Sequence, residues 1–148
     1  MPNYGDPKYW DKRYKEQENA TFDWLEDYPA LKSLITSLVK PDGKVLVLGC
    51  GNAEFSENMY DDGYENIDNC DISPVVIAQM KARNSTRKKM QYDIMDVRSM
   101  TYPDNTYDLA IDKSTIDALL CGENSFYNVA LMIKVKTSYQ FNRKLKEY

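Results

Sequence analysis

The chain has 148 residues, the size of one domain. Its net charge of −4 argues against a broad nucleic-acid footprint, which would be basic. It contains no histidine, which removes Ser-His-Asp and Cys-His catalysis and histidine-based metal sites together.

Residues 1–8 hold Pro2, Gly5 and Pro7 and read as a loose arm. A short helix is predicted over 8–18, with Trp10 and Tyr14 four apart on one face and Arg13 beside them. Two readings of these aromatics stay open: cover for an apolar surface, or a flap over a ligand. Thr21-Phe22-Asp23-Trp24 is a linker with two large rings. Leu31, Leu34, Ile35, Leu38 and Val39 recur at helical spacing and predict an amphipathic helix over 28–39. Pro41-Asp42-Gly43 is a turn.

The run Val45-Leu46-Val47-Leu48 predicts a strand over 44–48, buried on both faces as in a parallel sheet. Gly49-Cys50-Gly51 follows, and glycines without Cβ atoms allow a sharp turn and close approach to a ligand. Asn52 is expected to open a helix whose free N–H groups and positive dipole end face that ligand. Phe55 and Met59 mark the helix over 53–61, which Gly63 ends. A weak strand with Ile67, Cys70 and Ile72 carries Asp71 at its end. Ser73 as N-cap and Pro74 at the first position start a helix with Val76, Ile77 and Met80 on its apolar face. Strands are predicted over 90–95, closed by Asp96, and over 107–111, closed by Asp112, with a helix over 115–121 ending at Gly122. Residues 124–148 read as one helix, with Leu131, Val135 and Tyr139 on a stripe and Phe141, Leu145 and Tyr148 less in register. Its Lys134, Lys136, Arg143, Lys144 and Lys146 read as a solvated face.

Strands alternating with helices predict an α/β domain with a parallel sheet, right-handed crossovers and strand order 3-2-1-4. The last strand would then be an edge, which calls for cover by a second copy or a partner. Cys50, Cys70 and Cys121 are scattered without metal spacing or a leader segment, which predicts a reducing, cytoplasmic setting. No apolar run approaches the ~20 residues of a membrane helix, so neither nucleic acid nor membrane is an expected partner.

The glycine turn, Asp71, Asp96 and Asp112 all fall at carboxyl ends of strands, the edge where open parallel sheets bind ligands. Asp71 follows Gly51 by 20 residues, where an acid reaches ribose hydroxyls in a dinucleotide fold. Glu54 replaces the third glycine of G-x-G-x-x-G and is a poor neighbour for a pyrophosphate. That weighs against a nicotinamide-dependent oxidoreductase, and a Walker loop is absent. A ligand with a ribose and no phosphate fits better, and S-adenosyl-L-methionine is one. Asp71 would accept from the ribose diol, Asp96 from the adenine amine, and the Gly49–Gly51 backbone, Cys50 included, would lie against the methionine portion.

Val45-Leu46-Val47-Leu48-Gly49-Cys50-Gly51-Asn52 resembles motif I of class I methyltransferases. The ordered set Tyr9-Trp10-Asp11-Lys12-Arg13-Tyr14, Phe22-Asp23-Trp24, Asp71-Ile72-Ser73, Met95-Asp96-Val97-Arg98 and Asp112-Lys113-Ser114-Thr115-Ile116-Asp117-Ala118-Leu119-Leu120 resembles one subgroup. That subgroup holds the lysine methyltransferases of elongation factor 1 alpha and the methyltransferase associated with endothelin-converting enzyme 2. The resemblance covers residues 8–122 and leaves 123–148 divergent within a single domain over 1–148. It implies a Rossmann-like class I sheet, cut to about four parallel strands with flanking helices, because members continue with a Pro-Gly-Gly-like turn and further strands. It also implies a cofactor site of Trp10, Tyr14, Trp24, Gly49, Asp71, Ile72, Asp96, Val97 and Lys113, and it promotes the flap reading. Ser114 stands where members usually have glycine. The implied function is S-adenosyl-L-methionine-dependent methylation of a protein lysine, with S-adenosyl-L-homocysteine as product and elongation factor 1 alpha as the implied protein partner. The alternative is a catalytically impaired binding module acting through a partner or self-association. Methyl transfer from a sulfonium needs positioning and water exclusion more than side-chain chemistry. Asp112 has two readings of equal weight: orienting the acceptor amine, or capping the next helix.

Overall fold

A computed structural model describes residues 2–18 and 20–138. Helix α1 (Pro7–Glu16) begins where the Asp6 side chain accepts from the Lys8 N–H, with Pro7 in the first turn. Helix α2 (Tyr28–Leu38) is capped in the same way by Asp27, whose carboxylate accepts from the Ala30 N–H. Strand β1 (Val45–Leu48) leads through the glycine turn to α3 (Phe55–Asp61). Strand β2 (Ile67–Asp71), helix α4 (Pro74–Arg83), strand β3 (Gln91–Ile94), strand β4 (Leu109–Asp112) and helices α5 (Thr115–Leu120) and α6 (Ser125–Ser138) complete the order. The expected helix beyond Ser138, with its stripe and basic residues, lies outside the described residues, as do the side chains of Lys134, Val135 and Lys136.

The sheet order is β3-β2-β1-β4, every pair parallel, as the alternation of strands and helices predicts. Alternation along β1 divides the core. Val45 and Val47 point into one cluster with Tyr14, Tyr28, Ile35, Phe55, Val76 and Met80, so α1 to α4 cover that face. Leu46 and Leu48 point into the other, with Cys70, Val97, Ile116 and Met132, where α5 and α6 pack. The four β1 residues are almost wholly buried, which is what an unbroken apolar run in a central parallel strand requires. In β4, at the edge, all four residues are only half-buried.

Strand β2 looked weak because Asp68 and Asn69 interrupt its apolar pattern, yet all five of its residues are buried. Distant residues satisfy both polar side chains. Asp68 accepts from the Tyr107 hydroxyl at 2.6 Å and pairs with Lys44 at 3.0 Å. Asn69 accepts from the Ser56 hydroxyl at 2.5 Å and donates to the Gln91 carbonyl at 3.0 Å.

One expectation is corrected. Asn52 does not open α3, which starts three residues later at Phe55 with Glu54 in the cap position. The Asn52 amide instead donates to the Ala20 carbonyl at 2.7 Å and ties the 20–26 segment to the glycine turn.

Candidate functional site

A cavity of about 440 Å³ opens at the carboxyl edge of the sheet, within the size range of small-molecule sites. Its floor is the β1–α3 turn. Gly49 and Gly51 have φ of +61° and +53°, the left-handed region that favours glycine. A Cβ on Gly49 would stand 2.0 Å from the Thr115 hydroxyl oxygen, and one on Gly51 3.0 Å from that of Tyr14. Gly49 therefore needs glycine for space as well as for backbone angle, whereas Gly51 needs it for backbone angle and sits in tight contact with Tyr14.

Asp71 stands at the end of β2 with 6 % of its surface exposed. One carboxylate oxygen accepts from the Gly51 N–H at 3.0 Å, the other from the Ser73 N–H at 2.9 Å. Burial pushes this carboxyl above the usual range, against the pull of the backbone N–H groups that favour the charge. The Cys50 thiol is also pushed well up, by burial and then by Asp71, so it is not an activated nucleophile.

The roof is aromatic. Tyr14 stacks on Trp10 at 5.9 Å between centroids, and Trp24 meets Trp10 edge-on at 6.4 Å. The Trp10 indole N–H donates to the Tyr4 carbonyl at 2.7 Å, fastening the arm to α1. Burial raises the Tyr14 hydroxyl, and the Asp71 charge adds to the effect. Helix α1 is anchored to the start of α4, where the Ser73 hydroxyl donates to Asp11 at 2.5 Å and the Gln79 amide donates to the Tyr14 carbonyl at 2.9 Å.

Trp10, Tyr14, Trp24, Gly49, Cys50, Gly51, Asp71, Ile72, Asp96, Val97 and Lys113 all line this one cavity. Asp112 is not part of its wall; one of its carboxylate oxygens accepts from the Thr115 N–H at 3.0 Å, which is the capping reading. Asp96 lies on the wall but is forked by Arg98, with nitrogen to oxygen distances of 2.6 to 3.0 Å. Burial works to raise its carboxyl, and the guanidinium outweighs this and holds it below the usual range. An adenine amine reaching Asp96 would share it with that guanidinium.

The Lys113 ammonium donates to Asp23 and to the carbonyls of Glu26 and Trp24, the last at 3.3 Å, and lies 4.7 Å from the Phe55 ring centroid. It thereby ties the 23–26 segment, in which Leu25 has φ of +63°, to the end of β4. Asp23 and Arg98 were not singled out from the sequence. Asp96-x-Arg98 was a readable local signal, whereas Asp23 and Lys113 are 90 residues apart.

Ser114 has φ of +75° and makes no side-chain capping bond to α5. Its backbone explains why glycine suits the position. Ser114→Gly is expected to raise the unfolding free energy by about 0.5–1 kcal/mol, read from urea denaturation.

A methyltransferase-domain family model matches residues 45–127, more than half of the chain. The chain belongs to the methyltransferase-domain family. Its parallel sheet with flanking helices is the Rossmann-like class I methyltransferase sheet. The methyltransferase domain is 40% identical over 145 residues to the "eEF1A lysine and N-terminal methyltransferase" of Bos taurus, a match covering 97% of this chain and 19% of that protein. It is 34% identical over 128 residues to "EEF1A lysine methyltransferase 4" of Mus musculus, covering 86% of this chain and 50% of that one. The chain thus spans 19% and 50% of the length of these relatives. Among solved structures, the glycopeptide N-methyltransferase MtfA complexed with sinefungin superposes with a TM-score of 0.63 at 16% identity, over 82% of this chain and 52% of MtfA. The PH0226 protein of Pyrococcus horikoshii gives 0.60 at 23% identity, over 92% of this chain and 56% of that one. At these identities the superpositions speak for the fold.

Proposed function

We propose that this methyltransferase domain binds S-adenosyl-L-methionine in the cavity and directs its methyl group to the side-chain amine of a protein lysine. The observation that carries the reading is Asp71, buried at the end of β2 and oriented by the N–H groups of Gly51 and Ser73 beside a turn in which Gly49 has no room for a side chain. A carboxylate there suits a ribose diol and repels a phosphate. The cavity cations do not form a polyphosphate cradle, since Arg98 is forked to Asp96 and Lys113 to Asp23. The lysine acceptor, and an elongation factor 1 alpha-like protein as its bearer, rest on the names of the relatives.

The residues present suit this cofactor. Asp71 and Ile72 would hold the ribose, Asp96 and Val97 the adenine edge, and the Gly49–Gly51 backbone the amino-acid portion. When bound, the cofactor supplies an electrophilic methyl group, which leaves orientation and dryness to the protein. Trp10, Tyr14 and Trp24 roof the site against water, and the Lys113 bonds fix where Trp24 stands.

Calorimetric titration with S-adenosyl-L-methionine and S-adenosyl-L-homocysteine tests the cofactor assignment. Dissociation constants on the order of micromolar are expected, and no heat from either ligand overturns the reading. Transfer of labelled methyl to elongation factor 1 alpha tests the acceptor. Binding without transfer favours the other reading, a domain that holds the cofactor without turning it over.

A further inference from the structure

The cavity wall carries the cations Arg13, Arg98 and Lys113. Two are matched by carboxylates: Arg98 by Asp96 and Lys113 by Asp23. Arg13 makes no ion pair among the described residues. Its guanidinium donates one hydrogen bond, to the Tyr9 hydroxyl at 3.3 Å. Otherwise rings surround it, with Trp10, Phe22 and Trp24 centroids at 5.8, 5.3 and 5.3 Å from its central carbon. Rings engage a guanidinium through its face and leave the N–H fork along its edge. A half-buried charge with most of its five donors unused among the described residues offers a seat for an anion.

The position of the seat narrows the anion. Arg13 lines the same cavity as the glycine turn, and its helical neighbour Tyr14 places a hydroxyl over Gly51. Asp71 borders the same turn through the Gly51 N–H. A phosphate dianion would meet one unmatched cation and a buried carboxylate nearby, an unfavourable balance. A single carboxylate matches one guanidinium in charge and in two-pronged geometry.

We infer that Arg13 holds the carboxylate of an amino-acid moiety of the cavity's ligand. The inference rests on the cofactor reading above and assigns that cofactor's α-carboxylate to a residue outside the expected site. Arg13 then acts as an affinity and specificity determinant, selecting adenosyl ligands that keep their amino-acid end. The aromatic cluster does double work, covering the ligand and orienting the guanidinium toward it.

The test is a calorimetric comparison of S-adenosyl-L-homocysteine with 5′-methylthioadenosine, which keeps the adenosine and the thioether sulfur and lacks the amino-acid carboxylate. Arg13→Gln is expected to weaken S-adenosyl-L-homocysteine about 10- to 100-fold and 5′-methylthioadenosine by less than about threefold. Arg13→Lys, which keeps the charge and loses the fork, is expected to fall between wild type and Arg13→Gln. Equal losses for the two ligands overturn the inference and leave Arg13 a role in wall packing alone. Unchanged affinity for both overturns it as well. If wild type binds neither ligand, the cofactor reading itself has failed, and that outcome is read from wild type before any variant is made.

Discussion

Asp71→Ala is expected to weaken S-adenosyl-L-homocysteine at least about 100-fold and to lower the unfolding free energy by about 2–4 kcal/mol. Two N–H donors, part-buried on Gly51 and buried on Ser73, lose their acceptors at once, and an orphaned buried donor costs about 1–3 kcal/mol. Relief from burying a carboxylate offsets part of that. The pH dependence separates the two effects. Burial raises the Asp71 pKa above 3.8, so the native state holds this proton to higher pH than the unfolded chain does. The contribution of Asp71 to stability is therefore fully present below the unfolded value and is lost as pH rises through the folded one. Affinity is expected to run the other way, because in the proposed complex the ribose diol donates to the ionised carboxylate. Acidification through that window should stabilise the fold and weaken the ligand together. The difference between wild type and Asp71→Asn, followed by urea denaturation and by calorimetry across the window, isolates this group. Parallel trends in stability and affinity would contradict the assignment.

Gly49→Ala carries the second large effect, an expected loss of about 2–4 kcal/mol of stability together with the ligand site. The positive φ alone costs a residue with a Cβ about 1–2 kcal/mol. The new methyl would also stand 2.0 Å from the Thr115 hydroxyl oxygen, which donates to the Leu48 carbonyl at 2.9 Å, so that bond is strained or lost. The two costs can be told apart. Thr115→Ala removes the hydroxyl and leaves the Thr115 Cβ at 3.1 Å from the added methyl. The double variant should be more stable than the sum of the single losses predicts, by about 1 kcal/mol in a double-mutant cycle. Strict additivity would place the whole effect in the backbone angle.

The sheet and its order were legible because Val45–Leu48 is an unbroken apolar run and because punctuation recurs at Pro41-Asp42-Gly43, Gly63, Ser73-Pro74 and Gly122. Turn and cap chemistry is local, so short spacings reveal it. The cavity was legible for a related reason: strand-end residues converge once the strands are parallel. What stayed hidden depends on long loops closing. Nothing near Asn69 announces that Ser56 and Gln91 will satisfy it, so β2 looked weaker than it is. Asn52 has the composition of a helix opener, and only the folded chain brings it the Ala20 carbonyl. Asp112 carried two readings because a cap and a catalytic carboxylate share one residue type at one place. Asp96 carried one too simple, because the neighbouring Arg98 competes for its oxygens.

Trp10 and Trp24 are the only tryptophans in the chain, and both stand in the cavity wall with the Arg13 guanidinium against each ring. Tryptophan emission from this protein therefore originates at the cavity wall. Any molecule that enters, and any side chain that shifts to admit it, changes the surroundings of both indoles at once, undiluted by a silent indole in the core. The fold has placed an optical reporter in its own binding wall, and occupancy can be followed without label, tag or turnover.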